Sequence, residues 1–259
     1  MSVRRDATPD GASASGPAAL LAAAECVLFD FDGPLCDLFA TRPATGVATR
    51  LAAELRRTGC DPEVAASGGG DPLALLQAVG AHYGAGERTE HAERCLAEEE
   101  IAAATGARPT EHALELIGAL DAGGWRQAVT TNNSPGAVLR FLDRYESAAP
   151  AGEHVHGRTP DLALLKPDPH CLVRALESTG CPDPAAAVMI GDSPADWFAA
   201  RAVGVPFIGY AVNARKRRAL EEAGSRWAVG SLRGLVETAR GRVPSGAPGM
   251  GQLTAGVRG

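Results

Sequence analysis

Asp30 and Asp32 stand one residue apart at the end of the apolar run Val27-Leu28-Phe29, with Gly33 directly after them. In an extended chain alternate side chains share a face, so the two carboxylates can point the same way. Later stretches have the same form. Gln127-Ala128-Val129-Thr130-Thr131-Asn132 is a strand-type run ending in hydroxyls, and Thr130 and Thr131 compete for the exposed position. Ala187-Val188-Met189-Ile190-Gly191-Asp192 ends in an acid, with Asp196 four residues on, and Lys166-Pro167-Asp168-Pro169 puts a lysine just before a helix start. If these runs are parallel strands of one sheet, they open on one edge, where ligands of open α/β sheets bind. A hydroxyl, an ammonium and several carboxylates can there surround one phosphate and one metal ion. Taken singly, each has a plainer reading: acids in a solvated loop, a strand-end hydroxyl, a loop lysine, or an acid favouring a helix dipole.

The elements that must position these groups follow from periodicity and punctuation. Residues 1–22, rich in Ala, Ser, Gly, Pro and Asp, read as a disordered leader with some helical tendency near Leu20. Val47, Leu51 and Leu55 recur every four residues, and Asp71-Pro72 is a good helix start. A more polar helix runs from about Glu87 to Thr105, so 36–107 reads as all-helical. From Pro109 helices alternate with short apolar runs, the pattern of an α/β fold with a parallel sheet covered on both faces. His154 and His156 read as surface residues, and Arg215-Lys216-Arg217-Arg218 as the wet face of a helix. The stretch 241–259 reads as a flexible tail.

Composition narrows the function classes. A formal net charge of −6 leaves no surplus of basic residues to neutralise phosphates, which argues against a nucleic-acid binder. No apolar run approaches the ~20 residues that span a bilayer. The six cysteines form no Cys-x-x-Cys pair and show no zinc spacing, so they read as reduced thiols of a cytoplasmic protein.

Asp30-Phe31-Asp32-Gly33, Thr131-Asn132, Lys166-Pro167 and Gly191-Asp192-Ser193-Pro194-Ala195-Asp196, in that order, resemble the motifs of the haloacid dehalogenase-like (HAD) hydrolases, in the phosphoglycolate phosphatase and β-phosphoglucomutase branch. The resemblance implies a Rossmann-like parallel-sheet core over 23–35 and 108–240, with an inserted all-helical cap over 36–107. It implies a phosphatase acting on a small phosphorylated metabolite, as monomer or homodimer. Asp30 is then the nucleophile and Asp32 the proton carrier. Thr131, Asn132 and Lys166 hold the phosphate. Asp30, Asp32 (through its backbone carbonyl), Asp192 and Asp196 serve Mg²⁺, Asp196 either directly or as support. A sugar phosphomutase, or a non-catalytic binding domain of this fold, would carry the same motifs. Pro34, where this branch has a small residue, stiffens the passage from core to cap. Arg42, Arg50, His82 and Tyr83 are candidates to line the substrate side of the cap.

Overall fold

The computed structural model describes residues 16–145 and 148–242 of the 259. The chain enters through helix α1 (Pro17–Ala23) and strand β1 (Cys26–Phe29), then the short strand β2 (Cys36–Asp37). Three long helices come next: α2 (Ala44–Arg57), α3 (Pro72–Tyr83) and α4 (Glu87–Ala104). After β3 (Arg108–Pro109) the chain alternates through α5 (Ala113–Ala122), β4 (Arg126–Thr130), α6 (Pro135–Leu142), α7 (Ala149–Gly152) and β5 (Val155–His156). It continues with α8 (His170–Ser178), β6 (Ala187–Gly191), α9 (Pro194–Val203) and β7 (Phe207–Tyr210). The last elements are α10 (Ala214–Ala223), β8 (Ala228–Val229) and α11 (Arg233–Arg240).

Six strands form one parallel sheet in the order β5-β4-β1-β6-β7-β8. Alternation along β1 explains why its four residues are all apolar. Val27 and Phe29 pack on one face with Leu116, Phe141 and Leu235, whereas Cys26 and Leu28 pack on the other with Leu172, Ala199 and Leu220. Both faces are covered by helices, as a parallel sheet requires. The helices α2, α3 and α4 contain no strand partner and close on a core of their own, built from Val47, Leu51, Leu55, Leu76, Val79 and Leu96. They leave and rejoin the sheet region through β2 and β3, which pair antiparallel. Asp71 caps α3 by accepting from the N–H groups of Leu73 and Ala74, and Pro72 fills the first turn.

Helix α4 is tied to the sheet edge by a buried charge network. The Arg158 guanidinium, 0% exposed, grips Glu100 of α4 through Nη1 at 2.9 Å and Nη2 at 2.9 Å and also reaches Glu93 at 3.2 Å. Glu100 in turn accepts from Asn133 Nδ2 at 3.0 Å and from the Ser134 N–H at 2.8 Å, in the loop that follows β4.

Two expectations change here. Residues 17–22 are not a disordered leader: α1 buries Leu21 completely, and the Trp125 indole donates to the Leu21 carbonyl at 3.3 Å. Residues 1–15 lie outside the described residues, as does the tail beyond Arg242. His156 is not a surface residue either. It is 7% exposed, with Nε2 2.7 Å from Ser178 Oγ. Burial, with help from Arg174, His154 and His170, lowers its pKa to about 4. Because the folded value lies below the unfolded one, the unfolded chain takes up this proton first, and stability falls as pH drops from about 6.5 to 4. His156→Gln should flatten that fall in urea-unfolding titrations; identical slopes in the two proteins would assign it to other groups.

Candidate active site

β1 lies between β4 and β6, with Phe29 level with Val129 on one side and Ile190 on the other. The residues that follow these three strands therefore meet on one edge of the sheet. Asp30 continues β1, its N–H donating to the Ile190 carbonyl at 2.9 Å. Phe31 is fully buried and meets Phe141 edge-on. Gly33 adopts a φ of +126°, and a side chain there would strike the Asp192 carboxylate, so glycine is required on both counts.

Lys166 organises the site. Its ammonium, 4% exposed at the residue level, donates to Asp30 Oδ1 at 2.8 Å, Asp196 Oδ1 at 2.5 Å and the Thr130 carbonyl at 2.9 Å. All three of its protons are thereby used. Burial alone would lower its pKa, but Asp196 and Asp30 outweigh burial and hold Lys166 well above the ordinary lysine value. Asn132 fixes the lysine backbone, donating from Nδ2 to the Lys166 carbonyl at 3.0 Å and accepting the Lys166 N–H on Oδ1 at 2.8 Å. The side-chain amide of Asn132, a residue expected at the phosphate, is thus occupied in positioning Lys166.

Thr130 and Thr131 are separated by their hydrogen bonds. The Thr130 hydroxyl turns into the sheet toward the Phe29 carbonyl at 3.4 Å, whereas that of Thr131 joins the loop beyond β4, donating to Asn133 Oδ1 at 3.1 Å and accepting the Asn133 N–H at 3.1 Å. Asp196 sits in the first turn of α9 and closes a capping box with Ser193. Its Oδ2 accepts from Asp192 N at 3.1 Å, Ser193 N at 3.0 Å and Ser193 Oγ at 2.7 Å. Of the two roles expected for Asp196, direct metal ligand or support, these bonds and the Oδ1 bond to Lys166 fit support.

Asp192 lies beside Asp30, and the oxygens of Asp30, Asp192 and Asp196 come within 4.8 Å of one another. Lys216 of α10 forms an ion pair with Asp192 Oδ2. The expected wet basic face of that helix therefore contributes one side chain to the site, which no local pattern in the sequence marks. Three acids face two ammonium groups. Burial first, then Asp196, lifts Asp30 to about 6 despite Lys166. An all-oxygen donor set with residual negative charge fits Mg²⁺, which takes carboxylates and keeps several waters. Asp30 and Asp192 have the carboxylate oxygens to hold it. Lys216→Met is expected to tighten Mg²⁺ binding about fivefold, the equivalent of ~1 kcal/mol for a partly exposed competing ion pair. Mg²⁺-dependent thermal shifts measure this, and weaker binding in the variant would show that Lys216 does not compete.

Asp32 stands apart from the cluster. Its Oδ1 accepts the Leu38 N–H at 2.9 Å. Burial raises its carboxyl to about 6, against the pull of Leu38 and Lys216, which suits a group that exchanges protons near neutrality. Of the four residues expected to line the substrate side of the cap, Arg42, Arg50 and Tyr83 make polar bonds within the helical region. Arg42 and Arg50 both bind Glu99, at 2.9 Å and 2.6 Å. The Tyr83 hydroxyl accepts the Asp61 N–H at 2.8 Å and its ring meets His82 edge-on. A cleft of about 720 Å³ lies between α3, α4 and Pro160–Ala163, and none of Asp30, Asp32, Asp192 and Asp196 lines it.

Residues 24–204 match the haloacid dehalogenase-like hydrolase family. A phosphoglycolate phosphatase of Rhodospirillum rubrum is 42% identical over 103 residues, covering 40% of this chain and 42% of that protein's length. A HAD family hydrolase from Deinococcus radiodurans, solved with bound phosphate and sodium, superposes with a TM-score of 0.56 at 26% identity, covering 86% of this chain and all of that one. CbbY from Rhodobacter sphaeroides, solved with phosphate, shares the fold with a TM-score of 0.59 at 22% identity, over 82% of this chain and 99% of its own.

Proposed function

The chain belongs to the haloacid dehalogenase-like hydrolase family, and from that premise we propose that it is a Mg²⁺-dependent phosphatase working through an aspartyl-phosphate at Asp30. The observation that carries this reading is the Lys166 ammonium, buried and bonded at once to Asp30, Asp196 and the Thr130 carbonyl. An anionic phosphoryl group approaching a bare carboxylate would be repelled, and Lys166 offsets that repulsion at the point of attack. Lys166 holds Oδ1 of Asp30, which leaves Oδ2 to attack phosphorus. The new O–P bond forms as the bond to the leaving oxygen breaks, and Asp32 gives that oxygen its proton. Asp32 then takes a proton from the water that attacks phosphorus and frees Asp30. The Thr131 hydroxyl binds the phosphoryl oxygens. Bound Mg²⁺, held by Asp30, Asp192 and the Asp32 backbone carbonyl, would neutralise phosphoryl charge.

The substrate class is a small phosphorylated metabolite. Phosphoglycolate heads the candidates because of the Rhodospirillum relative. A net charge of −6 disfavours a nucleic-acid substrate. Phosphate release across a metabolite panel, with EDTA and Asp30→Asn controls, tests the reading. Release that needs divalent metal and Asp30 supports it. Conversion of one sugar-phosphate isomer to another without free phosphate would make the protein a mutase. No turnover of any ester, p-nitrophenyl phosphate included, would leave a binding domain.

A further inference from the structure

A second cluster of ligand-type side chains, distinct from the acids of the sheet edge, lies where α2 and α4 pack. His91 and Cys95 are four residues apart on α4, so they share one face of the helix. Glu54 of α2 faces them, and one ligand atom from each of the three lies within 4.8 Å of the other two. Before any ring movement His91 Nε2 is 3.6 Å from Cys95 Sγ and 3.3 Å from Glu54 Oε1. A tetrahedral Zn²⁺ with bonds of about 2.3 Å to sulfur and about 2.0 Å to nitrogen and oxygen sets S···N near ~3.5 Å and N···O near ~3.3 Å.

We propose that Glu54, His91 and Cys95 form a binding site for a thiophilic transition-metal ion of the Zn²⁺ class, which clamps α2 to α4. The donor set is mixed thiolate, imidazole and carboxylate, the kind that selects Zn²⁺ over Mg²⁺. The three side chains line an open pocket of about 420 Å³ together with Glu98, Glu99, Arg50 and Arg94, so an ion has a way in and a fourth position faces solvent, with acids and arginines both at its rim. Two local changes accompany loading. Arg57, a 72% exposed side chain, releases Glu54. The His91 ring turns about its Cβ–Cγ bond, since Sγ also lies 3.9 Å from Nδ1. Binding forms the metal–sulfur bond and breaks the Cys95 S–H bond, the proton passing to buffer. The cysteine spacing conceals the site because its other ligands are a histidine on the same helix and an acid on another.

The test is a Co²⁺ titration of the full chain in excess Mg²⁺, which occupies oxygen-only sites. One equivalent should bind with the sulfur-to-cobalt charge-transfer absorption and the intense visible bands of tetrahedral cobalt. Cys95→Ser should abolish the charge-transfer band. His91→Ala and Glu54→Gln should weaken binding by at least the order of 10- to 100-fold that even outer-shell changes cost. Zn²⁺ should bleach the cobalt spectrum and raise the melting temperature of the wild type but not of Cys95→Ser, with far-ultraviolet dichroism confirming that each variant is folded. A spectrum without a sulfur band, or a band that survives in Cys95→Ser, overturns the site.

Discussion

Asp30→Asn is expected to abolish phosphate release from every ester the wild type hydrolyses, a loss on the order of 10⁴-fold or more, as when a covalent nucleophile is removed. Asparagine has the same shape and can still accept the Lys166 bond on its oxygen, so the fold should persist and the loss be chemical. Rapid-quench labelling with a ³²P-labelled ester should trap no phosphoenzyme in this variant. Asp32→Asn should behave differently. It removes only proton transfer, for which losses of about 10²–10⁴ are usual, and the deficit should be greatest with poor leaving groups, which need the proton most. An Asp32→Asn protein that forms no phosphoenzyme, beside an Asp30→Asn protein that merely turns over slowly, would reverse the roles assigned to the two acids.

Lys166→Met should be the most damaging change to stability within the site. It strips the cation from Asp30 and Asp196, whose side chains are 11% and 1% exposed. Removing one partner of a buried pair costs about 3–5 kcal/mol, because a charge is left without compensation. Urea unfolding in EDTA measures the loss. Lys166→Met combined with Asp196→Asn should recover part of the deficit, since one of the two stranded charges, that of Asp196, has gone while Asp30 keeps its own. A loss below about 1 kcal/mol, or a double variant no better than the sum of the single ones, would show that the stabilisation lies elsewhere. Activity should fall in both proteins, as nothing then offsets the charge of an incoming phosphoryl group.

The two side chains at the centre of these tests were legible in the sequence for different reasons. Asp30 announces itself because an apolar run of strand type stops on it, and periodicity survives without knowledge of the fold. Lys166 is visible because proline follows and a helix start is near. What could not be read is how hydrogen-bonding capacity is divided once the sheet closes. Asn132 spends its amide on the Lys166 backbone, and Asp196 spends its oxygens on a capping box and an ammonium. Lys216 was hidden in a basic run because only the crossover from β7 to α10 brings it to Asp192. For His156 the sequence showed a polar residue in a short strand and a helix over 167–178, but not that this helix, α8, covers it and supplies the Ser178 contact. Leu21 was lost in a low-complexity stretch. The elements that cover it lie far along the chain, in α11 and at Trp125, whose indole donates to the Leu21 carbonyl.

The Glu100–Arg158 pair carries a consequence for descent as well as for form. With the guanidinium 0% and the carboxylate 2% exposed, loss of Arg158 strands Glu100 without a counter-charge in a dry interior, and loss of Glu100 leaves Arg158 only Glu93 as a charged partner. Asn133 and the Ser134 N–H would lose their acceptor together with Arg158. Positions 100 and 158 are therefore expected to pass through related chains as one heritable unit, kept together or replaced together. A family tree in which either changes while its partner stays should show the substitute acceptor or donor arising nearby on the same branch.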